Sequence, residues 1–169
     1  MLVLSERLPS QEHWDDELLL SFELRQKSRL RTRAASGEDV GLFIERGEQP
    51  LRDGECLKAQ DGRVVRVRAA DEKLIHVVAA TPTELARAAY HLGNRHVPVE
   101  VGEGWLRLGD DHVLVDMLER HFAVTVTLLD APFNPESGAY GGGHHHSHGQ
   151  EADFHYAPKL HQFGAKGGA

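Results

Sequence analysis

The chain has 169 residues, 40% of them hydrophobic, and a formal net charge of −7 with its histidines neutral. This acidic balance argues against a nucleic-acid binder, whose surface is normally basic. No apolar run reaches the roughly 18 residues of a membrane-spanning helix, and the N-terminus lacks the basic head and apolar core of a signal peptide. A single cysteine, Cys56, cannot form an internal disulfide. Together these features predict a cytoplasmic protein.

Residues 1–70 consist of short hydrophobic segments separated by turn signals. The pairs Asp53-Gly54 and Asp61-Gly62 are typical of tight turns between strands. No helical periodicity interrupts the series, so we predict a small all-β domain, either a sandwich or a barrel, with Cys56 buried in its core. The segments predicted to be strands are 18–24, 27–33, 40–44, 56–59 and 64–69.

One of these segments carries an unusual charge pattern. Lys27, Arg29, Arg31 and Arg33 occur at every second position, so a strand would place them on one face. Two interpretations remain open for this face. It is either an ordinary solvated surface or a surface that binds an acidic partner or a peptide.

The pattern changes at residue 71. Segment 73–79 is rich in β-branched residues and predicts a strand. Thr81, Pro82 and Glu84 then have the positions of an N-cap, a first helical residue and the second half of a capping box. We expect the helix to end at Gly93 in the left-handed conformation.

Three further elements are predicted after this helix. Segments 97–101 and 105–108 read as a hairpin, a second helix begins at a cap on Asp110 or Asp111, and 124–129 is a closing strand. The order is β-α-β-β-α-β, which predicts a ferredoxin-like domain over residues 71–133. The fold class is therefore α+β.

The remaining residues, 134–169, are predicted to form a flexible tail. Pro132 and Pro135 interrupt regular structure, and residues 138–149 are mostly glycine and histidine, too poor in apolar side chains to bury a core. Twelve histidines in the whole chain are the main compositional clue. Imidazole suits Ni²⁺, Zn²⁺ and Cu²⁺, so we predict metal binding by five tail histidines: His144, His145, His146, His148 and His155.

Two histidines in the second domain are further candidates. His96 lies at the corner between the first helix and the following strand, and His112 lies in the first turn of the second helix. A single histidine is often only a structural residue and makes a poor metal site. A two-fold dimer would bring two copies of His96 together, because an isologous interface pairs each patch with itself.

Several motifs resemble those of the urease accessory protein E (UreE) family, the nickel metallochaperones of urease maturation. The corner motif is Gly-Asn-Arg-His-Val-Pro over residues 93–98, and the second helix begins Asp-Asp-His-Val-Leu over 110–114. Gly-Leu at 41–42, Arg-Gly at 46–47 and Leu-Arg-Asp-Gly at 51–54 match the family pattern in the first domain. The resemblance covers nearly the whole chain.

This resemblance implies a nickel carrier and not an enzyme. It implies a peptide-binding-like first domain over 1–70 and a homodimer through the second domain, with His96 of two chains sharing Ni²⁺ and His112 as a further ligand. The implied partners are the urease apoprotein and its accessory proteins, including the nickel-handling GTPase. Zn²⁺ or Cu²⁺ would suit the same ligands.

Three alternatives are open at this point. A metalloenzyme would need a rigid site with three protein ligands, and the sequence contains no His-Glu-x-x-His motif, nucleophile elbow or paired cysteines. A storage or detoxification protein would bind metal without delivering it. A peptide-binding co-chaperone would depend on the first domain and its basic strand.

Overall fold

The structure is a computed structural model that describes residues 1–137. The first part of the chain forms one six-stranded sheet in the order β2-β6-β5-β1-β4-β3. The pairs β1–β4 and β2–β6 are parallel, and the other neighbours are antiparallel. The strands are β1 (Leu2–Leu8), β2 (Asp16–Leu20), β3 (Arg29–Arg33), β4 (Asp39–Phe43), β5 (Cys56–Ala59) and β6 (Val64–Ala69).

The strands form one continuous sheet, so the two sheets of the predicted sandwich are not seen in residues 1–70. Its outer strands approach each other, since the Ala35 N–H just after β3 donates to the Glu17 carbonyl of β2 at 2.8 Å. The sheet is continuous because of β1, which sequence analysis did not identify. It lies between β5 and β4 and so joins the β5–β6 hairpin to the β4–β3 hairpin. Alternate side chains of these strands, among them Leu4, Leu42 and Leu57, pack into one core. Cys56 is fully buried, as predicted.

The predicted strand over 18–24 is wrong beyond Leu20. A one-turn helix, α1 (Phe22–Arg25), follows β2, and the Ser21 side chain caps it by accepting a hydrogen bond from the Leu24 N–H. Such local capping by serine favours a helical turn over an extended strand. The predicted basic strand also begins later, at Arg29. Lys27 lies before it and forms an ion pair with Glu23 of α1 at 3.0 Å.

The second part of the chain has the element order β-α-β-β-α-β that the sequence predicts. Its four-stranded antiparallel sheet has the order β10-β7-β9-β8. Two sheets and three helices make the described chain α+β. The elements are β7 (Asp71–Ala79), α2 (Pro82–Gly93), β8 (Glu100–Gly102), β9 (Trp105–Gly109), α3 (His112–His121) and β10 (Val124–Pro132).

Both long helices pack on one face of this second sheet. Ile75, Val77 and Leu106 from the strands share a core with Leu92 of α2 and Leu118 of α3. The apolar residues of α2 recur at the spacing of a buried helical stripe. This core fixes where each helix begins and ends relative to the sheet, and therefore positions the candidate histidines.

The start of α2 differs from prediction in one contact. Thr81 caps the helix by accepting a hydrogen bond from the Glu84 N–H at 3.2 Å, and Pro82 is the first helical residue. The Glu84 carboxylate does not complete a capping box. It accepts hydrogen bonds from Arg87 at 2.7 Å and from the Ala123 N–H at 3.4 Å, because Ala123 leads into the adjacent β10.

Strand β10 continues three residues past the predicted end at 129. Ala131 and Pro132 remain in register with Glu72 and Asp71. Proline is tolerated there because β10 is an outer strand, where a missing N–H does not break a ladder between two neighbours. No helix within residues 1–137 has the length and apolarity needed to cross a membrane.

The two sheets meet at a buried arginine. Arg25 is almost fully buried and donates hydrogen bonds to the carbonyl oxygens of Leu51, at 3.1 Å, and of Phe133. The Phe22 ring meets the Phe133 ring edge-on, with the ring centroids 5.4 Å apart. Burial lowers the pKa of Arg25, but a guanidinium remains charged in proteins. Arg25 therefore links the first domain to the residues that follow β10.

Residues 134–137, the beginning of the predicted tail, contact the body of the protein. The Asn134 side chain accepts a hydrogen bond from Arg25 at 3.3 Å. The Glu136 N–H donates to the Val99 carbonyl at 2.8 Å, and Arg52 donates to the Ser137 hydroxyl at 3.3 Å. The rest of the predicted tail, and with it the glycine- and histidine-rich segment, lies outside the described residues.

Candidate metal site

The corner after α2 is built by a compact set of backbone hydrogen bonds. The His96 N–H donates to the Gly93 carbonyl at 2.9 Å, and the Arg95 and Val97 N–H groups donate to the Leu92 carbonyl at 3.1 and 3.3 Å. Leu92 itself is fully buried in the core. The turn is therefore anchored to the interior, while the His96 side chain is exposed.

His96 occupies an unusual backbone conformation. Its φ is 55°, and it is the one non-glycine residue with positive φ among residues 1–137. The prediction that Gly93 takes the left-handed position is wrong, because the helix continues through Gly93 and the reversal falls on His96 instead. The left-handed region costs an L-residue roughly 1–2 kcal/mol. Strain of this kind is concentrated at functional sites.

His112 is the first residue of α3. Asp111 caps this helix, with one carboxylate oxygen accepting from the Val113 N–H at 2.8 Å and the Leu114 N–H at 3.3 Å. Of the two predicted caps, Asp110 and Asp111, the structure selects Asp111. The His112 side chain is exposed, so both candidate histidines in the described chain lie at the surface, one after a helix and one at the start of another.

Another histidine lies close to the corner in sequence, in the last turn of α2. His91 is half-buried, and its ring packs against the rings of Phe122 and Tyr90 at centroid distances of 5.2 and 5.3 Å. The predicted tail ligands all lie outside the described residues. Within residues 1–137, no three histidine, cysteine, aspartate or glutamate side chains are grouped closely enough to hold a metal ion.

Sequence analysis did not single out His76, which has the most perturbed environment of the described histidines. Its Nδ1 accepts a hydrogen bond from the Arg107 Nε at 3.3 Å, and its ring lies 5.5 Å from the Trp105 ring. Burial, and then the charge of Arg107, lower the pKa of His76. The alternation of β7 places the His76 side chain on the sheet face opposite the helices. Its contacts there, with Arg107 and Trp105 of β9, are structural.

In four elements of the second domain a large apolar side chain is more than half exposed, and one of these side chains is Leu128 of β10. Tyr90 of α2, Val101 of β8 and Val113 of α3 are each more than half exposed. Val113 follows the candidate ligand His112 directly, and Tyr90 belongs to the last turn of the helix that leads to His96. The periodicity of the sequence predicts only that these residues lie outside the buried faces of their elements.

Comparison with known proteins gives a consistent assignment. Residues 4–70 match the family described as UreE urease accessory protein, N-terminal domain, and residues 72–162 match its C-terminal domain. The chain is 61% identical over 166 residues to the urease accessory protein UreE of Azotobacter vinelandii, covering 98% of this chain and 99% of the relative. It is 62% identical over the same length and coverage to the UreE protein of Pseudomonas fluorescens strain SBW25.

Proposed function

Because the chain belongs to the UreE family of urease accessory proteins, with a role in urease maturation, we propose that it is a metallochaperone that carries Ni²⁺ for assembly of the urease active site. In this role Ni²⁺ is cargo and the protein catalyses no reaction. The observation that carries the proposal is His96, an exposed imidazole held in a left-handed corner that is anchored to the core.

The corner suits a carrier for a physical reason. A metal site gains precision when its ligand stands on a rigid element, and the turn at His96 is tied by hydrogen bonds to the buried end of α2. Imidazole is also a good nickel donor. The proposed site contains histidine ligands and no cysteine thiolate. One such ligand per chain binds weakly, and weak binding favours release to a partner.

We propose that the full site forms in a homodimer through the second domain. A two-fold axis near the corner would place two His96 side chains on one Ni²⁺ ion, with His112 as a further ligand. The exposed side chains Tyr90, Val101 and Val113 support this, because large apolar residues at the surface are typical of protein–protein contacts.

The tail would capture metal and pass it to the dimer site. Its predicted ligands are His144, His145, His146, His148 and His155. Zn²⁺ and Cu²⁺ can bind the same imidazoles, and Cu²⁺ more tightly, so selectivity for nickel would depend on geometry and supply. A storage protein without delivery would have the same ligands and differ only in its partners.

The proposed architecture assigns these tasks to separate regions. The second domain, residues 71–133, would be the ferredoxin-like metal-binding domain, and residues 1–70 a peptide-binding-like domain. The partners would be the urease apoprotein and its accessory proteins, including the nickel-handling GTPase, in the cytoplasm. The buried Cys56 thiol is compatible with a reducing compartment.

Calorimetric Ni²⁺ titration with light scattering tests the dimer site. The starting protein is the full chain with the five tail ligands changed to asparagine. We expect about one ion per two chains, and loss of this binding when His96→Ala is added. His121→Ala is the matched control, since His121 is an exposed histidine at the far end of α3. Unchanged binding in the His96→Ala variant would refute the role of the corner.

A second experiment separates delivery from storage. Urease apoprotein and its accessory proteins are incubated with the nickel-loaded chain, or with the same total Ni²⁺ held in a small-molecule buffer. Delivery predicts greater urease activation by the loaded chain, and loss of that advantage with His96→Ala. Equal activation from both nickel sources would favour storage.

A further inference from the structure

The exposed face of β3 combines charge with an apolar groove. Arg29, Arg31 and Arg33 are exposed on one side of the strand, while Leu30 packs against the core on the other. The strand is the last in the six-stranded sheet, with β4 as its sole neighbour in the part of the chain that the structure describes. Its outer edge therefore presents backbone groups that another extended segment can pair with.

Two of these arginines have no partner among residues 1–137. Arg33 forms an ion pair with Asp39 at 3.3 Å, directly opposite it on β4. Arg29 and Arg31 form no ion pair or hydrogen bond within residues 1–137, although the whole chain carries a net charge of −7. Several other arginines of the described chain are matched with carboxylates, namely Arg7, Arg63, Arg68, Arg87 and Arg120. The exposed Arg46, Arg52 and Arg95 form no ion pair within residues 1–137. This pair of cations is therefore available to an external anion.

A groove runs beside the two free arginines. The β3–β4 register places Arg31 opposite Gly41 and Arg29 opposite Phe43, and opposed residues share a sheet face. Gly41 is the floor of the groove, because a Cβ there would lie 3.1 Å from Phe43 Cε2 and 3.5 Å from Met1 Cε. Phe43 and Met1 are about half or more exposed. The space measures about 300 Å³, and we call this surface the basic groove.

We propose that the basic groove binds an extended acidic segment of a partner protein. Its carboxylates would pair with Arg29 and Arg31, because guanidinium and carboxylate form strong, charge-assisted hydrogen bonds. An apolar side chain two positions from a carboxylate, and therefore on the same side of the extended segment, would lie over Gly41 between Phe43 and Met1. The segment would lie on the sheet face formed by β3 and β4, because Arg29, Arg31, Gly41 and Phe43 share that face.

Charge complementarity favours an acidic peptide over a nucleic acid. A polyanion with a phosphate at every residue needs many cations along its path, whereas this groove offers two free arginines beside an apolar wall. The rest of the acidic chain would repel a long phosphate backbone. An extended peptide that carries carboxylate and apolar side chains on the same face matches the two arginines and the apolar wall of the groove.

The test uses fluorescence anisotropy with the full chain and a fluorescein-labelled peptide of about eight residues that repeats Glu-Glu-Val-Val. When extended, this peptide carries glutamate and valine on each of its faces. We expect saturable binding that R29Q/R31Q weakens at least tenfold. The control R87Q/R120Q removes the same charge from exposed positions on α2 and α3, and we expect its affinity to stay within twofold. Equal weakening by both double variants would reduce the effect to net charge and overturn the proposal.

Two further measurements sharpen the assignment. Phe43→Ser should weaken binding of the valine-containing peptide more than that of a glutamate–serine peptide, because it removes the apolar wall. A labelled oligothymidylate should bind weakly, and oligothymidylate binding tighter than that of the glutamate–valine peptide would assign the groove to nucleic acid instead. No peptide binding by the wild-type chain would overturn the proposal.

The inference is independent of nickel binding. R29Q/R31Q should leave the Ni²⁺ titration and the thermal unfolding midpoint unchanged, since both side chains are exposed and unpaired in the first domain. Unchanged values show that any loss of peptide affinity arises in the groove. A lower unfolding midpoint in R29Q/R31Q would attribute that loss to misfolding and count against the proposal.

Discussion

The His96 corner and the basic groove are the two described surfaces for which we propose functions, and they are constructed differently. The corner depends on hydrogen bonds among residues 92–97, all close in sequence. The groove combines β3, β4 and the Met1 side chain, which are brought together only by sheet register. A local turn can present one ligand precisely, while a sheet can align several charges over an extended surface. The two domains therefore suit different partners, a metal ion and a peptide.

The largest expected effect concerns the core of the second domain. Leu118 is fully buried in the core of the second domain, so Leu118→Ala should lower the free energy of unfolding by about 2–5 kcal/mol. Trp14 and Trp105 are the two tryptophans, one in each domain, and Trp14→Phe leaves Trp105 as the reporter in denaturant unfolding. Leu128→Ala at an exposed position is the control. A loss as large as that of Leu118→Ala in the control would contradict this assignment of the core.

Arg25 provides the next test, because its side chain connects the first domain to the residues that follow β10. Arg25→Ala leaves the carbonyl groups of Leu51 and Phe133 without a donor, and we expect a loss of about 2 kcal/mol. The Trp14 and Trp105 unfolding transitions should also move apart. Arg46→Ala, at an exposed residue of a first-domain loop, should change neither. Coincident transitions in Arg25→Ala would mean that this contact does not couple the domains.

A smaller effect concerns the strained corner. His96→Gly relieves the left-handed conformation at φ 55°, and after the entropy cost of glycine the net gain should be about 0.5 kcal/mol. Nickel binding should be lost at the same time. His112→Gly, at the start of α3, should not raise the free energy of unfolding. If chemical denaturation finds His96→Gly less stable than His96→Ala, the strain does not exist.

The smallest effect comes from His76. Its pKa is lowered in the folded state, so the unfolded chain binds more protons and stability falls as the pH drops from about 7 through the ordinary histidine range near 6.5. His76→Gln should flatten this part of the pH–stability curve while its amide oxygen can still accept from Arg107. Denaturant titrations at several pH values provide the measurement. A curve as steep as wild type would assign the pH dependence to other groups.

Much of the second domain follows from local sequence signals. Thr81 and Pro82 begin α2 as expected, and the stripe that includes Ala88 and Leu92 is buried. Asp111 begins α3 through its own side chain. Each of these signals acts within about four residues, the reach of a helical hydrogen bond. The candidate ligands His96 and His112 lie next to such signals, which is why their surface positions at helix ends could be predicted.

Only the tertiary structure determines the features that depend on distant residues. It places β1 at the centre of the first sheet, turns the segment after Leu20 into a helix that buries Arg25, and moves the left-handed residue from Gly93 to His96. The sequence by itself determined the N-terminal caps of α2 and α3, the buried stripes and the alternating arginines. It could not determine strand pairing or the groove at Gly41, because contacts between residues far apart in the chain compete with local preference and their free energies depend on the whole packed core.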